Sequence, residues 1–235
     1  MNKGKLYLIP TILGEGTEDE ILSTSITNAI KKIKIFIVEN IRTARRHIRK
    51  IDKKKDIESI LFYSYGKHDT LDLEQNVLSH ILSGKDIGIL SEAGAPCIAD
   101  PGSKIVAYAH DFQINVVPLS GPSSISLALM SSGLNGQNFA FVGYLPINKH
   151  ERRNKLKALE RLTQKKGQTQ IFIEAPYRNN QLFNTIISTC NKNTKLCVCS
   201  EITLPNENIK TKSIEEWKTM KINIHKKPTV FLIGQ

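Results

Sequence analysis

The sequence predicts an α/β protein whose first half forms a mostly parallel sheet covered by helices. The first half of the chain contains five short apolar segments, and longer segments with helical patterning lie between them. Strands that alternate with helices are typical of a parallel sheet, because parallel neighbours need a crossover connection. A chain of 235 residues, 40% of them hydrophobic, is long enough to bury one large core or two moderate ones.

The predicted strands of the first half are short and end at turn residues or polar loops. They span residues 6–9, 35–38, 60–63, 87–90 and 114–117. Thr17 followed by Glu20 has the spacing of a capping box, which predicts a helix from there to about residue 31. Further helical segments are predicted over residues 41–55, 71–82 and 103–110.

Pro118 marks the predicted hinge to a second α/β domain, so we expect domains over residues 1–117 and 118–235. The alternation of strands and helices continues beyond it. Strands are predicted over residues 139–142, 171–173, 196–199 and 230–233. Helices are predicted over residues 123–132, 149–166 and 214–220. Trp217 is expected to pack the last of these onto the body of the domain.

The charge of the chain favours an anionic partner. Thirty-three basic and 22 acidic residues leave a net charge of +11, for which RNA is the leading candidate and simple solubility the alternative. Cations are concentrated in segments 41–55 and 149–166, where many lie three or four residues apart and share a helix face. Such a face is either solvated or bound to phosphates. The residues predicted to bind RNA are Arg42, Arg45, Arg46, Arg152 and Arg153.

Two classes of protein are disfavoured. No apolar run is long enough to cross a bilayer, and the start of the chain lacks the apolar region of a signal peptide, so we expect a cytoplasmic protein. The four cysteines lack the paired spacing of zinc ligands and the six histidines are scattered, so no metal site is predicted. Cys197 and Cys199 fit one face of a strand, which favours reduced core thiols over disulfides.

Two loops rich in small residues are the candidate ligand-binding segments, residues 91–102 and 118–124. Ligands of open α/β sheets bind beyond the carboxyl ends of strands, which is where both loops lie. Glycines let backbone N–H groups approach a ligand closely, and Ser91 and Glu92 can hydrogen-bond its polar groups. The alternative is a pair of tight strand-to-helix connections that bind nothing.

The residues of these loops resemble the tetrapyrrole-methylase superfamily. The resemblance is carried by Ser-Glu-Ala-Gly-Ala-Pro at 91–96, Asp-Pro-Gly at 100–102 and Pro-Leu-Ser-Gly-Pro-Ser at 118–123. Within the superfamily, the chain is similar to the branch that 2′-O-methylates a cytidine of bacterial small-subunit ribosomal RNA. Further similar blocks extend over nearly the whole chain, at residues 6–10, 141–146, 172–178, 200–203 and 227–230.

This resemblance implies two α/β domains, a homodimer, and S-adenosylmethionine bound in the cleft between the domains. It places the two candidate loops, the loop after strand 171–173 and a short C-terminal segment against the cofactor. The residues it assigns to cofactor binding are Pro10, Ser91, Glu92, Ala93, Gly94, Ala95, Ile98, Ser120, Gly121, Ser123, Ser124, Ile173, Glu174, Ala175, Pro176, Pro228 and Thr229.

Three segments depart from the pattern of the family. Where the family carries Thr-Pro-Ile-Gly-Asn, this chain has Thr-Ile-Leu-Gly-Glu at 11–15. The family's Glu-Asp-Thr-Arg is Glu-Asn-Ile-Arg at 39–42, and its Pro-His-Arg is Pro-Tyr-Arg at 176–178. The first two segments border the acceptor site in the family, so they bear on the substrate rather than on the cofactor.

The function that the sequence favours is transfer of a methyl group from S-adenosylmethionine to ribose in small-subunit ribosomal RNA. A ribose hydroxyl needs a base near its oxygen, and Glu39, Glu92 and Glu174 are the carboxylates at strand ends. Glu39 is the first candidate because it precedes a basic segment, although a carboxylate at a helix start is also stabilised by the helix dipole. The alternatives are a methylase of a small tetrapyrrole-like metabolite and a non-catalytic RNA- or ribosome-binding relative.

Overall fold

The computed structural model describes residues 3–66 and 72–235. The chain divides into two compact units, Met1–Ser123 and Ser124–Gln235, and each contains one five-stranded sheet covered by helices. The predicted α/β fold class with two domains is therefore confirmed. No helix in the described part of the chain has both the length and the apolar composition needed to span a membrane.

The sequence predicted a mostly parallel sheet for the first half of the chain, and the sheet of unit 1 is entirely parallel. Its strand order is β3-β2-β4-β1-β5. Helices cover both faces of the sheet, so the inner strands read as continuous apolar runs. All the carboxyl ends consequently lie at one edge. The strands are β1 (Leu6–Ile9), β2 (Ile35–Val38), β3 (Leu61–Ser64), β4 (Ile87–Leu90) and β5 (Val116–Pro118).

Two helical layers enclose this sheet. On one face α2 and α3 pack Ile30 and Ile48 against Phe36 of β2. On the other face α4 and α5 pack Ile81 and Ile105 against β4. The helices are α1 (Glu18–Ile21), α2 (Thr24–Lys32), α3 (Ile41–Ile51), α4 (Ser79–Leu82), which continues a π-helical turn (Glu74–Leu78), and α5 (Ser103–Asp111). The predicted start of the helix over 71–82 includes residue 71, which lies outside the described residues.

The prediction of a single helix from Thr17 to residue 31 is wrong. The backbone is extended at Leu22, so the helix is interrupted there and two helices form instead. The Thr17 hydroxyl donates to the Gly14 carbonyl and does not cap a helix. The residue that does cap is Ser23, whose side chain accepts a hydrogen bond from the Ile26 N–H at 3.4 Å and starts α2. A serine with extended backbone satisfies an otherwise orphaned amide, which makes a new helix start favourable at that point.

Unit 2 has a mixed sheet in the order β6-β7-β10-β8-β9. Only β6 and β7 are parallel; the other described pairs are antiparallel. The edge strand β9 was not predicted, because Asn-Ile-Lys-Thr-Lys-Ser lacks an apolar run. The elements are α6 (Ser124–Ser132), β6 (Phe139–Tyr144), α7 (Lys149–Lys166), β7 (Thr169–Ile173), α8 (Asn179–Thr189), β8 (Lys195–Ser200), β9 (Asn208–Ser213), α9 (Ile214–Lys218) and β10 (Thr229–Gly234).

Two predictions about the core of unit 2 are confirmed. Trp217 is buried, donates its indole N–H to the Leu196 carbonyl at 2.8 Å, and meets the Phe183 ring edge-on. Cys197 and Cys199 are buried free thiols on one face of β8, with their Sγ atoms 3.4 Å apart. These two thiols therefore contribute to packing within a covered sheet.

The division between the units falls after Ser123, whereas the sequence placed it after residue 117. Residues 118–123 stay with unit 1 because they pack on its first strand and second helix. The Leu119 N–H donates to the Leu8 carbonyl at 3.0 Å, and a Cβ built on Gly121 would lie 2.5 Å from Cβ of Pro10. The loop after β5 is thus part of the functional edge of unit 1.

Candidate active site

The loops after β1 and β4 are joined at the carboxyl edge of the unit 1 sheet. The Thr11 N–H donates to the Gly94 carbonyl at 2.9 Å, and the Gly94 N–H donates to the Thr11 carbonyl at 3.3 Å. The buried Ser91 hydroxyl also donates to the Gly94 carbonyl and lies 3.3 Å from the Thr11 hydroxyl. Ser91, predicted to bind the cofactor, therefore also holds the two loops together.

The loop over 91–102 has an unusual backbone. Gly94 and Gly102 have positive φ angles of 77° and 126°, and so do the non-glycine residues Cys97 (66°) and Ala99 (63°). A side chain in this left-handed region costs roughly 1–3 kcal/mol, and surrounding structure must hold it there. Such strain is typical of ligand loops, which agrees with the choice of this segment from the sequence.

Three carboxylates interact electrostatically at this edge. Burial raises the pKa of Asp100 to about 6, and repulsion by Glu39 and Glu92 adds to the rise. Asp100 Oδ2 is buried and has no hydrogen-bond partner within the part of the chain that the structure describes. Glu92 accepts a hydrogen bond from the Thr43 hydroxyl at 2.6 Å. Sequence reasoning missed Asp100 as a site residue, although its Asp-Pro-Gly run was part of the resemblance.

A cavity of about 170 Å³ is lined by one of these carboxylates, Glu92. Four segments of unit 1 form it: the loop after β1, the start of α1 at Glu18, one face of α3, and the end of β4 with its loop. His47 of α3 lines the cavity, and its Nε2 is buried without a hydrogen-bond partner among the described residues. Burial lowers the pKa of His47, so the imidazole is neutral at pH 7. The sequence showed His47 only as one histidine in a basic helix, and nothing in the sequence indicated that it lines a cavity.

A basic groove of about 530 Å³ follows the exposed face of α3. Its cations belong to positions 45, 46, 49, 50 and 53, which recur every three or four residues. Of the predicted RNA-binding residues, Arg45 and Arg46 line this groove, and Arg42 is exposed on the first turn of the same helix. The Arg45 guanidinium lies 5.5 Å from the centre of the Phe62 ring, which orients the side chain.

The prediction that Arg152 binds RNA is wrong. The residue is only 1% exposed, and its guanidinium donates to the Ile147 carbonyl and to the Thr185 hydroxyl, both at 3.2 Å. Arg152 therefore ties α7 to α8 inside unit 2. Its neighbour Arg153 lies on the exposed side of α7.

In unit 2, Glu174 is buried directly after β7. Its Oε1 accepts hydrogen bonds from the Arg178 guanidinium and from the Ala175 N–H, both at 2.7 Å. Its Oε2 is buried and has no hydrogen-bond partner in the described ranges 3–66 and 72–235. The Arg178 guanidinium in turn stacks on the Tyr177 ring. Glu174 is thus held rigidly, with one oxygen left to accept a hydrogen bond.

Two more predicted cofactor residues of unit 2, Pro228 and Thr229, lie at the same edge of its sheet. Because β10 runs antiparallel to β7, the start of β10 adjoins the end of β7, with Val230 paired to Ile173. Pro228 and Thr229 therefore lie close to the loop at 173–176. Lys227 bonds Glu201 at 2.6 Å beside them, and Glu201 has a left-handed backbone. Ser124 is the first residue of α6.

The predicted cofactor residues of unit 1 gather around its carboxyl edge. Pro10 contacts the loop of Ser120 and Gly121, and a Cβ on Gly94 would lie 3.9 Å from Cα of Ser123. Glu92, Ala93 and Ile98 are exposed, and Ala95 is half-buried. Within the described ranges 3–66 and 72–235, no three His, Cys, Asp or Glu side chains gather closely enough to hold a metal ion.

We expect replacement of Asp100 by asparagine to stabilise unit 1 above pH 6. The folded state holds the Asp100 proton up to about pH 6, whereas the ordinary pKa is 3.8. Ionisation across that window therefore lowers stability, and the loss is complete above it. After a discount for solvent screening, Asp100→Asn should raise the free energy of unfolding by about 1 kcal/mol at pH 8 and should leave it unchanged at pH 4. Urea unfolding at both pH values measures it, and an equal difference at both would contradict the assignment.

Comparison with known proteins places the chain in a family. Residues 21–218 match the family described as Tetrapyrrole (Corrin/Porphyrin) Methylases. Ribosomal RNA small subunit methyltransferase I of Buchnera aphidicola subsp. Schizaphis graminum is 30% identical over 237 residues, covering 99% of this chain and 79% of that protein. The protein of the same name from Bacillus subtilis is 35% identical over 175 residues, covering 74% and 56%. The solved structure of the methyltransferase CobJ shares the fold, with a TM-score of 0.65 at 13% identity over 99% of this chain and 94% of that one.

The family match extends over most of the chain and includes both candidate loops and the segment around Glu174. The resemblance seen in the sequence is confirmed by this match. On this basis the chain belongs to the tetrapyrrole (corrin/porphyrin) methylase family.

Proposed function

We propose that this protein transfers a methyl group from S-adenosylmethionine to a ribose 2′-hydroxyl of small-subunit ribosomal RNA. The chain is an S-adenosylmethionine-dependent methyltransferase, in keeping with its family and with relatives named as methyltransferases. The observation that carries the RNA part of the proposal is the basic groove on α3, because two of its cations, Arg46 and Lys50, also line the cavity at the functional edge. We further propose that the enzyme works in the cytoplasm as a homodimer.

The loops at the sheet edges suit the proposed cofactor. Glu174 Oε2 is a buried acceptor without a partner among the described residues, and a ribose hydroxyl is a donor that would satisfy it. When bound, S-adenosylmethionine supplies an electrophilic methyl group on a sulfonium. This chain's residues then have to orient the acceptor in line with that methyl group and exclude water, which is mainly a matter of positioning.

Glu39 and Asp100 are the proposed proton acceptors. Both belong to the carboxyl edge of unit 1, and Glu39 contributes to the raised pKa of Asp100. A carboxylate with a pKa near the working pH is an efficient general base. Glu92 accepts a hydrogen bond from Thr43 and Glu174 accepts one from Arg178, and these contacts suit positioning roles.

The proton would leave the 2′-oxygen as that oxygen forms its bond to the methyl carbon. The methyl group would come from the sulfonium of S-adenosylmethionine, whose sulfur would keep the electrons of the broken carbon–sulfur bond, while Glu39 or Asp100 would take the proton. Neither a metal ion nor a redox partner is required for this balance.

Methyl transfer to small ribosomal subunits that lack their usual modifications tests the proposed function. We expect radiolabel from S-adenosylmethionine to enter the ribosomal RNA and to map to a ribose. Free RNA and small tetrapyrroles serve as parallel substrates. Label in a tetrapyrrole would support the metabolite alternative. Binding of RNA without any label would support a non-catalytic relative and would refute the proposal.

Glu39→Gln should reduce the turnover number at least a hundredfold, because general bases contribute about 10²–10⁴ in rate. The affinity for S-adenosylmethionine, measured by calorimetry, should stay unchanged. Glu74→Gln is the matched control, since Glu74 is exposed, lies outside the carboxylate cluster, and lines neither the groove nor the cavity. Near wild-type turnover in Glu39→Gln would remove Glu39 from the mechanism and leave Asp100 as the candidate.

The double variant Arg45→Ala/Arg46→Ala should weaken RNA binding uniformly across sequences. Each lost phosphate contact should reduce the slope of log affinity against log salt by about 1, so the expected change is about 2. Fluorescence anisotropy with a small-subunit RNA fragment at several salt concentrations measures the slope. Lys192→Ala removes an exposed cation of unit 2 and serves as the control. An unchanged slope in the double variant would show that RNA does not use the groove.

A further inference from the structure

We propose that the cavity beside His47 receives the nucleobase of the nucleotide that is methylated, and that His47 hydrogen-bonds the edge of that base. This inference rests on the proposed function, because it requires an RNA acceptor. It adds a base-reading site, formed entirely by unit 1, to the ribose-methylating activity.

The position of the cavity supports this role. Ser91, Glu92 and Ala93 line it, and these residues also belong to the loop proposed to contact the cofactor. A base held here would lie next to the loop that carries the methyl donor. Glu92 is also one of the three carboxylates that interact at this edge, so the acceptor nucleotide would lie beside that member of the group.

The volume of the cavity suits a single base. About 170 Å³ is available, which equals the space of roughly five or six liquid water molecules at about 30 Å³ each. One planar heterocycle fits into such a space, whereas two stacked bases do not. Enzymes that act on one nucleotide commonly take its base out of the stack and hold it in a fitted pocket.

His47 has the chemistry that base reading requires. A neutral imidazole presents one donor and one acceptor, as the edges of bases do. Its Nε2 is buried and lacks a hydrogen-bond partner among the described residues, and such an atom costs about 1–3 kcal/mol until a partner satisfies it. The apolar side chains of Ile12, Leu13 and Leu90 line the same cavity and would contact the faces of the ring.

The route into the cavity is charged. Arg46 and Lys50 line both the cavity and the basic groove. Glu15 and Glu18 hold Lys50, at 3.7 and 2.9 Å, so that this cation stays at the boundary between the two spaces. Phosphates seated in the groove would therefore bring one nucleotide to the mouth of the cavity. The groove and the cavity would together form a binding site for an RNA strand from which one nucleotide is extruded.

Substitution of His47 tests the inference through base preference. The substrates are small subunits in which the target nucleoside is cytidine, uridine, adenosine or guanosine. We expect wild-type protein to prefer one base. His47→Leu keeps a similar side-chain volume but removes both ring nitrogens. It should lower kcat/KM for the preferred base about tenfold, so that the difference in kcat/KM between that base and the other three becomes smaller. His47→Gln, which restores a donor and an acceptor, should recover most of the loss.

One control variant and three control measurements separate this inference from the proposed function. His110→Leu changes an exposed histidine of α5 and should leave rate and preference unchanged. The S-adenosylmethionine affinity and the salt slope of RNA binding should stay the same in His47→Leu, and the thermal midpoint should not fall, because the variant removes a buried polar atom without a partner among the described residues. If wild-type protein methylates RNA but His47→Leu keeps the same rate and base preference, the inference fails and the function stands. If wild-type protein methylates no RNA, both fail.

Discussion

The parallel pairing of β1 with β4 and β5 is the constraint on which the functional edge of unit 1 depends. It places three carboxyl ends side by side, so that Thr11 and Ser91, 80 residues apart, approach within 3.3 Å. Two backbone hydrogen bonds between Thr11 and Gly94 then lock the loops together. Unit 2 achieves a similar convergence by antiparallel pairing, because β10 starts where β7 ends. In both units, strand direction brings distant loops to one edge of the sheet.

The site maintains arrangements that lower the stability of the fold. Carboxylates at the edge of unit 1 repel one another, two non-glycine residues adopt left-handed backbone, and several buried polar atoms lack partners among the described residues. Each costs on the order of 1–3 kcal/mol. The apolar clusters on both faces of the sheet offset this cost. Unfavourable features of this kind concentrate at functional sites, since a bound ligand can supply hydrogen-bond partners that the protein alone lacks.

The basic residues of α3 and α7 have different structural roles. On α3 an apolar stripe faces the sheet, and most cations point outward to line the groove. Lys55, just beyond α3, turns inward and donates to the carbonyls of Lys31 and Ile33 at the end of α2. On α7, Arg152 is buried and joins two helices. Positive charge in a sequence therefore identifies a basic surface only after the buried and capping cations have been recognised.

The sequence by itself determined the fold class, the strands of the first sheet and the two candidate loops, because apolar runs, turn residues and helical periodicity are local signals. It also carried the resemblance to the family. Only the tertiary structure decided which cations are exposed, that the side chain of Ser23 rather than Thr17 caps a helix, and that Asp100 and His47 belong to the functional edge. The physical reason is that burial, repulsion and cavity shape arise between segments distant in the chain, and no short stretch of residues encodes them.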